Sequence, residues 1–131
     1  MNTEDYVNFE TAASLKQKGF NWGCISYYEH FSSNVTLYSG MVPEWSNSYI
    51  DHNKIDGRYS RPTLQMAMKW LREVHNIHIN ICSIWDVAHW IYQVFVITPR
   101  TASNSYVDEI LYTSYEQACN ASIKYCLENL I

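Results

Sequence analysis

The chain has 131 residues, 47% of them hydrophobic and 17% charged, which is the composition of one globular domain over 1–131 and excludes a disordered or fibrous chain. A formal charge of −4 gives no overall attraction to nucleic acid or to an anionic membrane surface. No apolar run approaches the ~18 residues of a membrane span, and the opening Met1-Asn-Thr-Glu-Asp-Tyr6 is acidic where a signal peptide would be basic.

Asn8 is placed to cap a helix through Phe9, Ala12, Ala13 and Leu15, with Gly19 closing it and Phe20 following. Residues 22–39 are rich in aromatic and β-branched types, and Cys24–Tyr28 and Val35–Tyr38 read as a hairpin turning around Ser32–Asn34. From Gly40 to Ser60 neither helical nor strand period appears, while Trp45 and Tyr49 stand among Asn, Ser and Asp. A loop of ~20 residues is uncommon in a compact domain and is often functional, so this segment is the first place to look for a site.

Pro62 opens a second helix, with Ser60 or Arg61 as its cap. Leu64, Ala67, Met68, Leu71 and Val74 form its apolar stripe, widened by Met66 and Trp70. The strand Ile77–Cys82 follows, its three isoleucines facing one side and His78, Asn80 and Cys82 the other. Trp90–Ile97 is a further strand ended by Pro99, and Asp108–Tyr112 reads as a last short one. Ser114 and Gln117 form a capping box opening a C-terminal helix with Ala118, Ala121, Ser122 and Tyr125 on one stripe and Cys119, Ile123, Cys126, Leu127 and Leu130 beside it.

These segments together predict an α+β fold, an antiparallel sheet of four to five strands with three helices packed mainly on one face. Cysteines 24, 82, 119 and 126 contain no CxxC pair, and Cys119 and Cys126 would lie ~10 Å apart along a helix, too far for a disulfide. The expectation is a reduced, cytoplasmic protein, in which Asn34-Val-Thr36 and Asn120-Ala-Ser122 are chance glycosylation matches.

Three patterns carry a resemblance: Tyr6-Val-x-Phe-Glu-x-Ala-x-x-Leu-Lys-x-Lys-Gly-Phe20, Pro62-Thr-x-x-x-Ala-x-Lys-Trp-Leu-Arg-Glu-Val-His75, and Tyr115-Glu-x-Ala-Cys-x-Ala-x-Ile-Lys124. Together they resemble a group of small uncharacterised proteins from phage, prophage and other mobile-element regions of Bacteroides-like gut bacteria. The resemblance touches all three helices, with Lys69-Trp-Leu-Arg-Glu73 its most distinctive element. It implies a genomic context and brings no activity, cofactor or catalytic residue with it.

His75, His78, His89 and Cys82 fall within 15 positions but lack the paired ligand spacings of a structural zinc site, so no metal is expected. His30 near Cys24 and His78 near Cys82 are formal nucleophile–base pairs, yet residues four apart on one strand are ~13 Å apart, and each cysteine reads better as a small buried hydrophobe. Asp51, His52 and Asp56 share the long loop with Tyr49 and Lys54 without a second fixed element to complete a catalytic site. No phosphate-binding glycine loop, GxSxG or HExxH occurs, so a small enzyme is disfavoured and no cofactor is expected.

Two binding readings remain. Lys54, Arg58, Arg61, Lys69 and Arg72 lie in a stretch whose one internal acid is Asp56, and Tyr49 and Tyr59 could stack on unpaired bases, which makes loop 49–61 a candidate nucleic-acid surface. Against it, the last helix opens on Glu116 and carries only Lys124. The preferred reading is a non-catalytic protein-interaction module, because aromatics make up 15% of the chain, more than one small core readily encloses. Trp45, Tyr49 and Tyr59 are then the expected anchors and Arg58 and Arg61 the charged rim, meeting a protein partner or a second copy, with no membrane involved.

Overall fold

A computed structural model describes residues 5–38, 49–97, 102–107 and 110–131. They form an α+β fold of three α-helices and six strands, in two compact units over residues 1–63 and 64–131. The strands make two three-stranded antiparallel sheets, not the one sheet of four to five expected, because every described strand pairs within its own unit.

In the first unit, α1 (Phe9–Gln17) starts where Asn8 accepts a hydrogen bond from the Thr11 N–H at 2.9 Å. It stops because Gly19 takes φ +90°, letting the Gly19 N–H reach the Lys16 carbonyl and the Phe20 N–H the Leu15 carbonyl, a complete Schellman closure. Strands β1 (Tyr27–Phe31) and β2 (Asn34–Tyr38) form the expected hairpin, with Ser32 at φ +58° in its two-residue turn. Its first strand begins at Tyr27, not Cys24, which instead makes an isolated bridge with Ile50.

The segment read as loop over 40–60 holds two elements: a 3₁₀ turn at His52–Lys54 and strand β3 (Arg58–Ser60), paired with β1 to give the order β2-β1-β3. Three residues are too few to display a period, so β3 exists through its partner rather than through its own pattern. Its neighbours Pro62 and Thr63 pair back to Val7 and Tyr6, which delays the second helix from Pro62 to Leu64.

The second unit begins with α2 (Leu64–His75), where Leu64, Ala67, Met68, Trp70 and Leu71 are buried. Val74, expected in the stripe, is 50% exposed. Asn76 takes φ +57° to end the helix, a post that Asn can hold where Gly is commoner. Strands β4 (Ile77–Ser83) and β5 (Trp90–Ile97) pair in register, setting Ile77, Ile79 and Ile81 opposite Val96, Val94 and Tyr92 on the face covered by helices.

The third strand of this sheet is β6 (Ala102–Val107), not Asp108–Tyr112. Positions 108–109 lie outside the described residues, and Tyr112 makes only an isolated bridge with Trp90. The last helix, α3 (Tyr115–Asn129), is capped by Ser114 accepting from the Gln117 N–H, while the Gln117 side-chain Oε1 reaches past Ser114 to accept from the Thr113 N–H and hydroxyl. It buries Ala118, Cys119, Ser122, Ile123, Cys126 and Leu127, leaving Leu130 exposed, and no helix of the described residues is long and apolar enough to cross a membrane.

Candidate functional site

Strand parity sorts the side chains of the first sheet. On the α1 side, Phe9 stands edge-on to Tyr28, His30 and Tyr59, with centroids 5.1–5.5 Å away. Arg61 leaves β3 toward this side; its guanidinium lies 4.0 Å from the Tyr6 ring centre and donates to the Ser26 hydroxyl at 3.0 Å. Lys16 sits 4.5 Å above the Tyr59 ring and donates to the Arg58 carbonyl at 2.8 Å.

On the opposite side, the Tyr27 ring stacks with Tyr38 at 5.0 Å and with His52 at 4.3 Å, and the Arg58 guanidinium lies 4.4 Å from its centre. Arg58 also approaches His52 Nδ1 at 3.4 Å. An arginine can only donate, so Nδ1 accepts and the neutral ring carries its proton on Nε2. His52 is buried, its pKa pulled down first by desolvation and then by Arg58.

The four sequence candidates among the described residues therefore do not make one patch. Arg58 and Arg61 leave β3 on opposite faces, Tyr59 is enclosed by Phe9 and Lys16, Tyr49 is 61% exposed, and Trp45 lies outside the described residues. Neither Arg58 nor Arg61 meets a carboxylate among the described residues; each is balanced by tyrosine faces.

Chemistry that needs an activated group finds little here. His30 stands against Phe9, and burial, with Asp51 adding to it, pushes the Cys24 thiol up to about 12, so it stays protonated and inert. His75 stands edge-on to Trp70, His78 lies near Phe95, and His89 bonds Asp86. Among the described residues no three His, Cys, Asp or Glu side chains gather as a metal would require.

The feature that sequence reasoning missed is the β4–β5 turn. The Asp86 N–H donates to the Ile84 carbonyl at 2.8 Å and Trp85 between them has φ +70°, the rare γ-turn form, strained for any side chain and most so for a bulky one. Trp85 is 81% exposed and Val87 83%. The turn is nevertheless firmly built: the Asp86 carboxylate accepts from the Ala88 N–H at 2.8 Å and pairs with His89 Nδ1 at 2.7 Å, and the Trp90 indole N–H donates to the Val87 carbonyl at 2.7 Å. The sequence signal was Asp86 in a short polar-flanked gap between two strands, but nothing marked Trp85 as the residue with positive φ.

No family model, curated protein or solved structure matches the chain.

Proposed function

We propose that this protein is a non-catalytic protein-contact module, working in the cytoplasmic phage or mobile-element setting that its sequence resemblance implies. The observation that carries the reading is Trp85. Within the fold the indole has one ring contact, edge-on to the exposed His89 at 5.4 Å, a small return for holding a tryptophan in a strained γ-turn with most of its surface in water; glycine or asparagine would serve the backbone better. The network of Asp86, His89 and Trp90 fixes the presentation, and a rigid exposed indole buries large area on a partner at small entropic cost.

A protein pocket suits this turn better than a lipid surface. The Asp86 carboxylate stands exposed between the two apolar side chains, held charged by His89 and the Ala88 N–H, and would have to be desolvated at a bilayer interface. The test is capture from host lysate with nuclease present, comparing wild type with Trp85→Gly. A stoichiometric protein retained by the first and lost by the second supports the reading; equal retention by both refutes it.

A nucleic-acid reading draws on the second observation, that Arg58 and Arg61 have tyrosine faces but no carboxylate beside them among the described residues. Their departure on opposite sides of β3 works against a single phosphate track. Salt-dependent retention of nucleic acid that weakens in Arg58→Ala and Arg61→Ala would establish it in place of the protein-contact reading.

A further inference from the structure

Strand β2 is an edge strand, and its five residues are all exposed. The direction of its free backbone groups follows from the register. The His30 N–H donates to Gly57 on the β3 side, so the even-numbered residues of β1 bond toward β3 and the odd ones toward β2. Asn34, Thr36 and Tyr38, opposite Phe31, Glu29 and Tyr27, therefore spend their N–H and C=O groups on β1. Val35 and Leu37 turn theirs outward, where no described strand pairs with them.

Edges of this kind are normally blunted by a charge, a proline or a bulge. The sequence Asn34-Val-Thr-Leu-Tyr38 has no such guard, and it is self-complementary. We infer that two copies of this chain pair β2 with β2, antiparallel about a two-fold axis at Thr36, joining their N-terminal sheets into one six-stranded sheet. In that register Val35 lies opposite the second copy's Leu37 and exchanges both backbone hydrogen bonds with it, and the symmetric pair does the same, so all four outward groups are satisfied. Thr36 faces its own counterpart in a non-hydrogen-bonded pair, and Asn34 faces Tyr38.

The charges permit this occupant. β2 carries none, and Glu29, which pairs with Thr36 from β1, would sit three strand spacings from its counterpart, roughly 14 Å at ordinary sheet spacing and beyond the screening length at physiological salt. On the other face the two valines and two leucines come together as cross-strand and diagonal neighbours, which gives the dimer its apolar contact. This inference stands apart from the Trp85 reading, since it uses a different strand in the other unit.

Light scattering on the eluting full-length protein at about 100 µM, a concentration that populates even a weak micromolar dimer, tests it. The expected mass is twice the 15.4 kDa of one chain. Val35→Pro removes an outward N–H that pairs with no strand among the described residues, so it should give a monomer with an unchanged circular dichroism spectrum. Thr36→Cys, in a Cys82→Ala background, should oxidise to a covalent dimer, because the axis brings the two thiols together. A wild-type monomer at this concentration overturns the inference, as does a dimer that persists in Val35→Pro or fails to crosslink through position 36. Loss of the dimer on Trp85→Gly would also overturn it.

Discussion

The imidazole of His52 lies almost flat on the ring of Tyr27, 4.3 Å between centroids and 26° from parallel, with the Arg58 guanidinium against both. That cluster favours a neutral ring. Burial and Arg58 lower the His52 pKa below its ordinary 6.5, and the backbone at Cys24 and Ile25, with Asp51, offsets this only in part. The unfolded chain therefore takes up the proton first as pH falls. Stability should be constant above about pH 6.5 and should decline steadily below it. His75, lowered by its burial beside Trp70, adds to the same slope. Thermal midpoints measured from pH 7.5 to 5 should show the decline, flattened in His52→Gln.

Trp85→Gly should stabilise the protein by up to about 1 kcal/mol, since glycine takes φ +70° without strain and the exposed indole gives up only its edge contact with the His89 ring. A midpoint that rises while partner capture disappears is a combination that a structural tryptophan would not give.

Thiol labelling should separate the cysteines. Cys24, Cys119 and Cys126 are buried, and the Cys24 and Cys126 thiols are pushed up to about 12 by desolvation. Cys82 is partly exposed on the open face of its sheet, where it accepts from Asn80. One equivalent of maleimide should react quickly with the native chain at pH 7, and the remaining three only on unfolding; Cys82→Ala should abolish the fast phase.

Ser32→Gly should stabilise the N-terminal hairpin. Of the two turn residues only Ser32 has positive φ, a position for which glycine is the usual choice in a two-residue turn. The expected gain is up to about 1 kcal/mol in denaturant unfolding.

How much of this could be read from the residues depends on which signal each element left. Helix α1 had a cap at both ends, α2 an apolar stripe, α3 a capping serine, and β4 strict alternation, so each appeared close to its observed place. Strand β6 carries Ala102-Ser-Asn-Ser105, residues with little preference for strands, and exists because β5 offers it a ladder. The arginines and tyrosines around β3 were visible as a group, but their division between two faces required knowing that a strand ran through them. The Trp85 turn was hidden for a different reason: its backbone conformation belongs to a residue type that ordinarily avoids it.

Strand β3 also bears on how the chain folds. β1 and β2 meet through two turn residues, and β5 meets its neighbours through short connections, so these ladders can close locally within microseconds. Ser60 must instead find Tyr27 across more than thirty intervening residues, to close a ladder only three residue pairs long. The first sheet is then completed late. Its opening should begin at β3, where amides should exchange with deuterium well before those of β5.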